Sequence, residues 1–105
     1  MSYFDIKDHV AIITGSAQGF GKEFAKKLLQ FGAKVCISDI NRDLGQKTAD
    51  ELKQIFGNDK VTFQQCNVTK QEDWELLWKH AEDFFGDQVW VEKSQFFLLH
   101  SKNSI

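Results

Sequence analysis

Proline is absent from all 105 residues, and there are only one tyrosine, one methionine and two cysteines. No proline-, serine- or glycine-rich stretch divides the chain, and its length suits one small domain rather than two. The cysteines, Cys36 and Cys66, form no Cys-x-x-Cys pair and lie in strand-like segments. They read as buried free thiols, not as a metal or redox centre. Three scattered histidines (His9, His80 and His100) have no metal-ligand spacing. An excess of one charge is lacking too. The net charge is -2 and no basic cluster runs along a face, so nothing supports nucleic-acid binding. The longest apolar runs, such as "FFLL" at 96–99, are far too short to span a bilayer. The opening "MSYFDIKDHV" carries charges where a signal peptide is apolar. With 42% apolar and 27% charged residues, the chain reads as a soluble, cytoplasmic globular protein with no membrane partner.

What is present is an alternation. "HVAIIT" at 9–14 is a short continuous apolar run, as expected of a strand buried on both faces of a parallel sheet. A helical period comes next, with Phe20, Phe24, Leu28 and Phe31 on one stripe, Ala25 and Leu29 beside it, and Gly32 as its stop. "KVCISD" at 34–39 is a second strand. Asn41 is placed to cap a second helix whose apolar face is Leu44, Thr48, Leu52, Ile55 and Phe56, closed by Gly57. "KVTFQQCNV" at 60–68 is a third strand. Thr69 and Glu72 have capping-box spacing at the start of a third helix, with Trp74, Leu77, Trp78, Ala81, Phe84 and Phe85 inward and Gly86 at its end. Strand and helix thus alternate three times, which predicts an α/β fold with helices on both faces of a parallel sheet. Right-handed crossovers give it the order 3-2-1. "QVWV" at 88–91 is the candidate fourth strand, and the polar end beyond it is expected to be a frayed or disordered tail.

Between the first strand and the first helix lies "TGSAQGFG", residues 14–21. Gly15, Gly19 and Gly21 allow a sharp exit from the strand and a close backbone approach to a ligand. Free N–H groups and partial positive charge at the start of the helix favour a pyrophosphate. A purely structural turn would use similar residues. A P-loop is excluded, because Gly15 to Gly21 is one residue too long and Lys22 is followed by Glu23 instead of Ser or Thr. A dinucleotide site needs an acid about 20 positions on, at the end of the second strand. Asp39 stands there, where a strand end or a helix cap would also account for it. Its carboxylate would accept from ribose hydroxyls and repel a 2′-phosphate, favouring NAD over NADP. Methyltransferases also follow a strand with a glycine loop and an acid, but this glycine spacing speaks against them.

These residues resemble the Thr-Gly-x-x-x-Gly-x-Gly signature of the short-chain dehydrogenases/reductases. "HVAIITGSAQGFGKEFAKKLLQFGAKVCISDIN" looks like the branch that holds the NAD-dependent 15-hydroxyprostaglandin dehydrogenases, close to the insect-type alcohol dehydrogenases, and "QCNVTKQEDWELLWKHAEDFFG" is similar to the next segment of that branch. The resemblance implies a Rossmann fold and NAD as cofactor. It places Gly15, Ser16, Gln18, Gly19, Phe20 and Gly21 around the pyrophosphate and nicotinamide side. Asp39 and Ile40 flank the adenosine, and Cys66, Asn67 and Val68 lie at the adenine edge. The family usually has Asp at the position of Asn67, whose side-chain oxygen can still accept from the adenine amino group.

The resemblance stops near residue 87. The family continues with a strand ending in Asn-Asn-Ala-Gly, then a catalytic Ser and Tyr-x-x-x-Lys, whose Tyr hydroxyl is the acid or base at the substrate oxygen. Here "VWVEKSQ" stands instead, and the single tyrosine, Tyr3, precedes the glycine loop. The expectation is a truncated Rossmann fold: residues 1–87 as the N-terminal half of an NAD-binding domain, and 88–105 as a divergent tail. Such a chain would bind NAD weakly, lack activity by itself, and leave one edge of the first strand open to self-association.

Overall fold

The computed structural model describes residues 7–86, together with the backbone of two short strands at 89–90 and 98–99. The elements in chain order are β1 (Val10–Thr14), α1 (Gly19–Gln30), β2 (Lys34–Asp39), α2 (Arg42–Phe56), β3 (Val61–Gln65), α3 (Gln71–Phe85), β4 (Val89–Trp90) and β5 (Leu98–Leu99). β1, β2 and β3 are parallel neighbours in the order β3-β2-β1, with β4 parallel on the far side of β1. The register sets Ile13 beside Ile37 and Asp39 beside Gln65.

Period-two alternation along each strand produces two apolar layers. Ala11, Ile13, Val35, Ile37 and Val61 face Ala25 and Leu29 of α1 and Ala49 and Leu52 of α2. Val10, Ile12 and Cys36 face the other way, onto Leu77 and Ala81 of α3 with Trp74, Trp78 and Phe85 at its margin. Because both faces are covered, the strands read in sequence as continuous apolar runs.

The helix faces are narrower than their periods suggest. Gly21, Ala25 and Leu29 form the buried side of α1, while Phe20 and Phe31 are 83% and 54% exposed. α2 buries Gly45, Thr48, Ala49 and Leu52 and leaves Ile55 exposed. A Cβ on Gly45 would collide with the ring of Phe63. The second helix therefore sits closer to β3 than a larger residue would permit, and its small side makes the contact.

Asn41 caps α2 as expected, its side chain accepting from Leu44 N at 3.1 Å. The capping box expected at Thr69 does not form. Thr69 N and Oγ1 both donate to Asn67 Oδ1, at 3.0 and 2.7 Å, and α3 starts later with Lys70 at its N-cap. The Asn side chain competes for the threonine and wins because it closes a local turn. The third strand is also shorter than expected, ending at Gln65. β5 has no counterpart in the sequence pattern: it pairs antiparallel with β1, Ala11 against Leu99 and Ile12 against Leu98. The β1 edge expected to stand open is thus paired at Val10, Ala11 and Ile12. The rest of the expected tail lies outside the described residues. Among the described residues no helix is long and apolar enough to cross a membrane.

Candidate cofactor-binding site

The loop between β1 and α1 is held from three directions. Ser16, fully buried, donates to Ile13 O at 2.6 Å and accepts from Ser38 N at 3.0 Å, tying the loop to β1 and β2. Thr48 Oγ1 of α2 donates to Ala17 O at 2.5 Å. Asp39, half-buried at the end of β2, accepts from Ala17 N through Oδ2 at 3.1 Å and from Asn41 N through Oδ1 at 3.0 Å. Ser16 and Ala17 are buried, whereas Gly15, Gln18, Gly19 and Phe20 form an exposed lip.

The glycines divide into two roles. Gly15 and Gly19 take φ of +66° and +64°, where a side chain is strained. A Cβ at either would meet nothing within 4 Å, so the outer side of the loop is open to a ligand. Gly21 faces inward. A Cβ there would collide with the Gly15 carbonyl and stand 2.8 Å from Ser16 Cα. The start of α1 therefore packs directly on the turn that leaves β1.

The three helices differ at their N-termini. α2 has the Asn41 cap and Asp43, and α3 has Glu72 and Asp73 in its first turn. α1 has no acidic residue in its first turn, and Gln18 at its N-cap makes no side-chain capping bond. Its free N–H groups and positive dipole end are left for an anion. A pyrophosphate fits this cradle in charge and in room. The Asp39 carboxylate uses two of about four acceptor positions on the loop and α2 backbones, which leaves acceptor capacity for a diol.

At the ends of β2 and β3 the sequence-derived adenine residues separate. Ile40 and Val68, just past the ends of β2 and β3, are 61% and 51% exposed and offer apolar surface. Cys66 is buried, and burial together with the nearby Asp73 carboxylate pushes its thiol pKa up, opposed by the adjacent Ser38 hydroxyl. It is a packing residue, as is Cys36, whose thiol is raised by burial and then by Cys66. The Asn67 side chain is engaged within its own turn. Both acceptor positions of Oδ1 are taken by Thr69, and the Asn67 backbone N–H donates to Asp73 at 2.8 Å.

Two residues of the site escape the sequence pattern. Ala17 supplies the N–H and C=O that fix the loop, and Thr48 falls by period on the apolar face of α2. A threonine on an otherwise apolar buried face is the available signal, since a buried hydroxyl needs a partner.

A three-layer α/β arrangement, a glycine turn opening onto an uncapped helix, and an acid reaching back from the next strand define a dinucleotide-binding half-sheet. The short chain dehydrogenase family model matches residues 9–91, and the chain belongs to that family. It is 40% identical over 81 residues to mouse (Mus musculus) 15-hydroxyprostaglandin dehydrogenase [NAD(+)], a match covering 77% of this chain and 30% of that protein. It is 37% identical over 81 residues to the NADP-dependent (R)-specific alcohol dehydrogenase of Lentilactobacillus kefiri, covering 77% of this chain and 31% of that one. Among solved structures, a short-chain dehydrogenase/reductase from Burkholderia phymatum in complex with NAD superposes with a TM-score of 0.74 at 28% identity, covering 80% of this chain and 29% of that one. The chain thus spans about 30% of the length of the curated relatives it matches.

Proposed function

We propose that residues 1–87 form the NAD-holding half of a short-chain alcohol dehydrogenase, whose family reaction is oxidation of a secondary alcohol. The observation that carries this reading is the Asp39 carboxylate, delivered by β2 to the backbone of the glycine loop at Ala17 N. In that position it is within reach of a ligand that lies along the loop, and its charge selects against a 2′-phosphate. The choice of cofactor rests on this residue, because the relatives include both NAD- and NADP-dependent enzymes.

In this reading the free N–H groups at the start of α1 hold the pyrophosphate, Asp39 accepts from the adenosine ribose, and Ile40 and Val68 flank the adenine. Bound NAD would supply the hydride acceptor. The 105 residues by themselves offer no acid–base tyrosine after the loop, since the one tyrosine is Tyr3. The chain alone is therefore proposed to hold the cofactor, weakly, without turning over an alcohol. 15-Hydroxyprostaglandin-like substrates are a proposal for a complete enzyme of this kind, supported by the mouse relative.

Calorimetric titration with NAD and with NADP tests the reading. A weak NAD heat, a smaller or absent NADP heat, and NMR shift changes concentrated at residues 15–21 and 39–40 are expected. No response in that loop would overturn the assignment, and tight binding would overturn the claim that half the site is not enough. An assay with NAD and simple secondary alcohols is expected to give no turnover.

The alternative is a non-enzymatic interaction fragment that associates through its sheet edge. With β4 and β5 paired to β1, that association requires their displacement.

A further inference from the structure

The peptide groups of β1 alternate in direction. Lys34 N donates to His9 O at 2.7 Å, and in a parallel pair every second residue turns its N–H and C=O to the same neighbour. Residues 9, 11 and 13 therefore face β2, while Val10, Ile12 and Thr14 face away from it. Val10 is paired with Val89 of β4, which ends at Trp90. Ile12 is paired with Leu98, which runs the opposite way. Since the polar groups of Ile12 point toward β5, Ile12–Leu98 is the hydrogen-bonded pair and Ala11–Leu99 the non-hydrogen-bonded one. β5 thus continues the cover of β1 where β4 stops.

The two sides of the sheet differ in what they would present if bare. β3, the opposite edge, reads "VTFQQ" and is polar toward its end, with Gln65 exposed. β1 reads "VAIIT", has no charge or proline, and is buried throughout. An uncharged, β-branched strand with free N–H and C=O groups is a template for edge-to-edge pairing. We infer that β5 is an edge-capping strand: the backbone at Leu98 occupies the hydrogen-bonding position at Ile12 and keeps β1 from pairing with a second copy of the chain. The inference concerns the sheet alone and does not depend on cofactor binding.

The test uses the full chain and two variants. Leu98→Pro removes the N–H that Ile12 O accepts, whereas Leu98→Ala keeps it. In the parent and in L98A, the Ile12 amide is expected to be protected from hydrogen exchange and the chain to sediment as a monomer. In L98P the pair keeps only the Ile12 N–H to Leu98 O bond; without its reciprocal partner the strand opens more often, and Ile12 protection falls by about tenfold, the worth of the one strand hydrogen bond removed. Ala11 and Ile13, whose amides face β2, stay protected, and a concentration-dependent dimer appears. Equal Ile12 protection in L98P and parent would overturn the inference. Should L98P lose protection everywhere, the parent alone decides. An Ala11–Leu99 Hα–Hα Overhauser contact is required within one molecule. Its absence, or its appearance only between differently labelled molecules, would also overturn the inference.

Discussion

Replacing Gly21 with alanine sets two opposing effects against each other. Gly21 is the third residue of α1, and alanine in a helix interior is favoured over glycine by about 1 kcal/mol. Against this, the new methyl would collide with the Gly15 carbonyl and stand 2.8 and 2.9 Å from Ser16 Cα and Gly15 C. These are backbone atoms and cannot rotate aside, and Ser16 is pinned by its bonds to Ile13 and Ser38. Overpacking of this kind costs about 1–3 kcal/mol, and an immobile neighbour belongs at the upper end. The expected net result is a loss of roughly 1–2 kcal/mol, read as a lower urea midpoint at unchanged slope. The corresponding fall in Tm is about 5–10 °C for a domain of this size. Gly19→Ala is the matched control: its Cβ meets nothing, so only the positive φ is charged, at about 1 kcal/mol. A Gly21→Ala chain as stable as the parent would show that α1 does not rest on the turn, and that the cradle does not depend on this close approach.

Three further perturbations test the loop, the acid and the half-buried His80. Thr48→Val removes the hydroxyl that donates to Ala17 O and leaves that buried carbonyl unpaired. It should cost about 1–2 kcal/mol in urea unfolding, and NAD heats should shrink in calorimetry because Ala17 lies in the loop proposed to hold the pyrophosphate; unchanged heats would sever Thr48 from the loop. Asp39→Ala should abolish discrimination between NAD and NADP in the same titration, and a retained preference for NAD would remove Asp39 from that role. His80 shares a 2.8 Å hydrogen bond with Thr62 Oγ1, and burial, aided by Lys53 and opposed by Asp83, lowers its pKa from the ordinary 6.5. The unfolded chain takes up the proton first, so this contribution to stability is complete above about pH 6.5 and is lost as pH falls from there through the lowered folded value. His80→Gln should flatten that part of the curve of urea midpoint against pH, and an identical slope in both proteins would refute the linkage.

Much of the fold is legible in the sequence because local chemistry carries it. The limits of β2, the cap at Asn41 and the three helix stops at Gly32, Gly57 and Gly86 depend on residues within one turn of each other. Where side chains compete, local reading fails. Thr69 matches a capping pattern, yet Asn67 two residues earlier takes its hydroxyl. Phe20 and Phe31 fit the helical period of α1, but the surface it meets needs a small face, and Gly21, Ala25 and Leu29 supply it.

The alternation of strands and helices, the sheet order, and the glycine turn with an acid on the following strand are all dictated by the order of residues. Each is set by periodicity, turn chemistry or chain handedness, and these act over short spans. Packing in three dimensions was needed to bond Thr48 to Ala17, 31 residues away, and to bring Leu98 to the edge of β1. A hydrogen-bonding pattern along the chain states which groups need partners. Which partners they find depends on segments brought together by packing, and no period in the sequence encodes that.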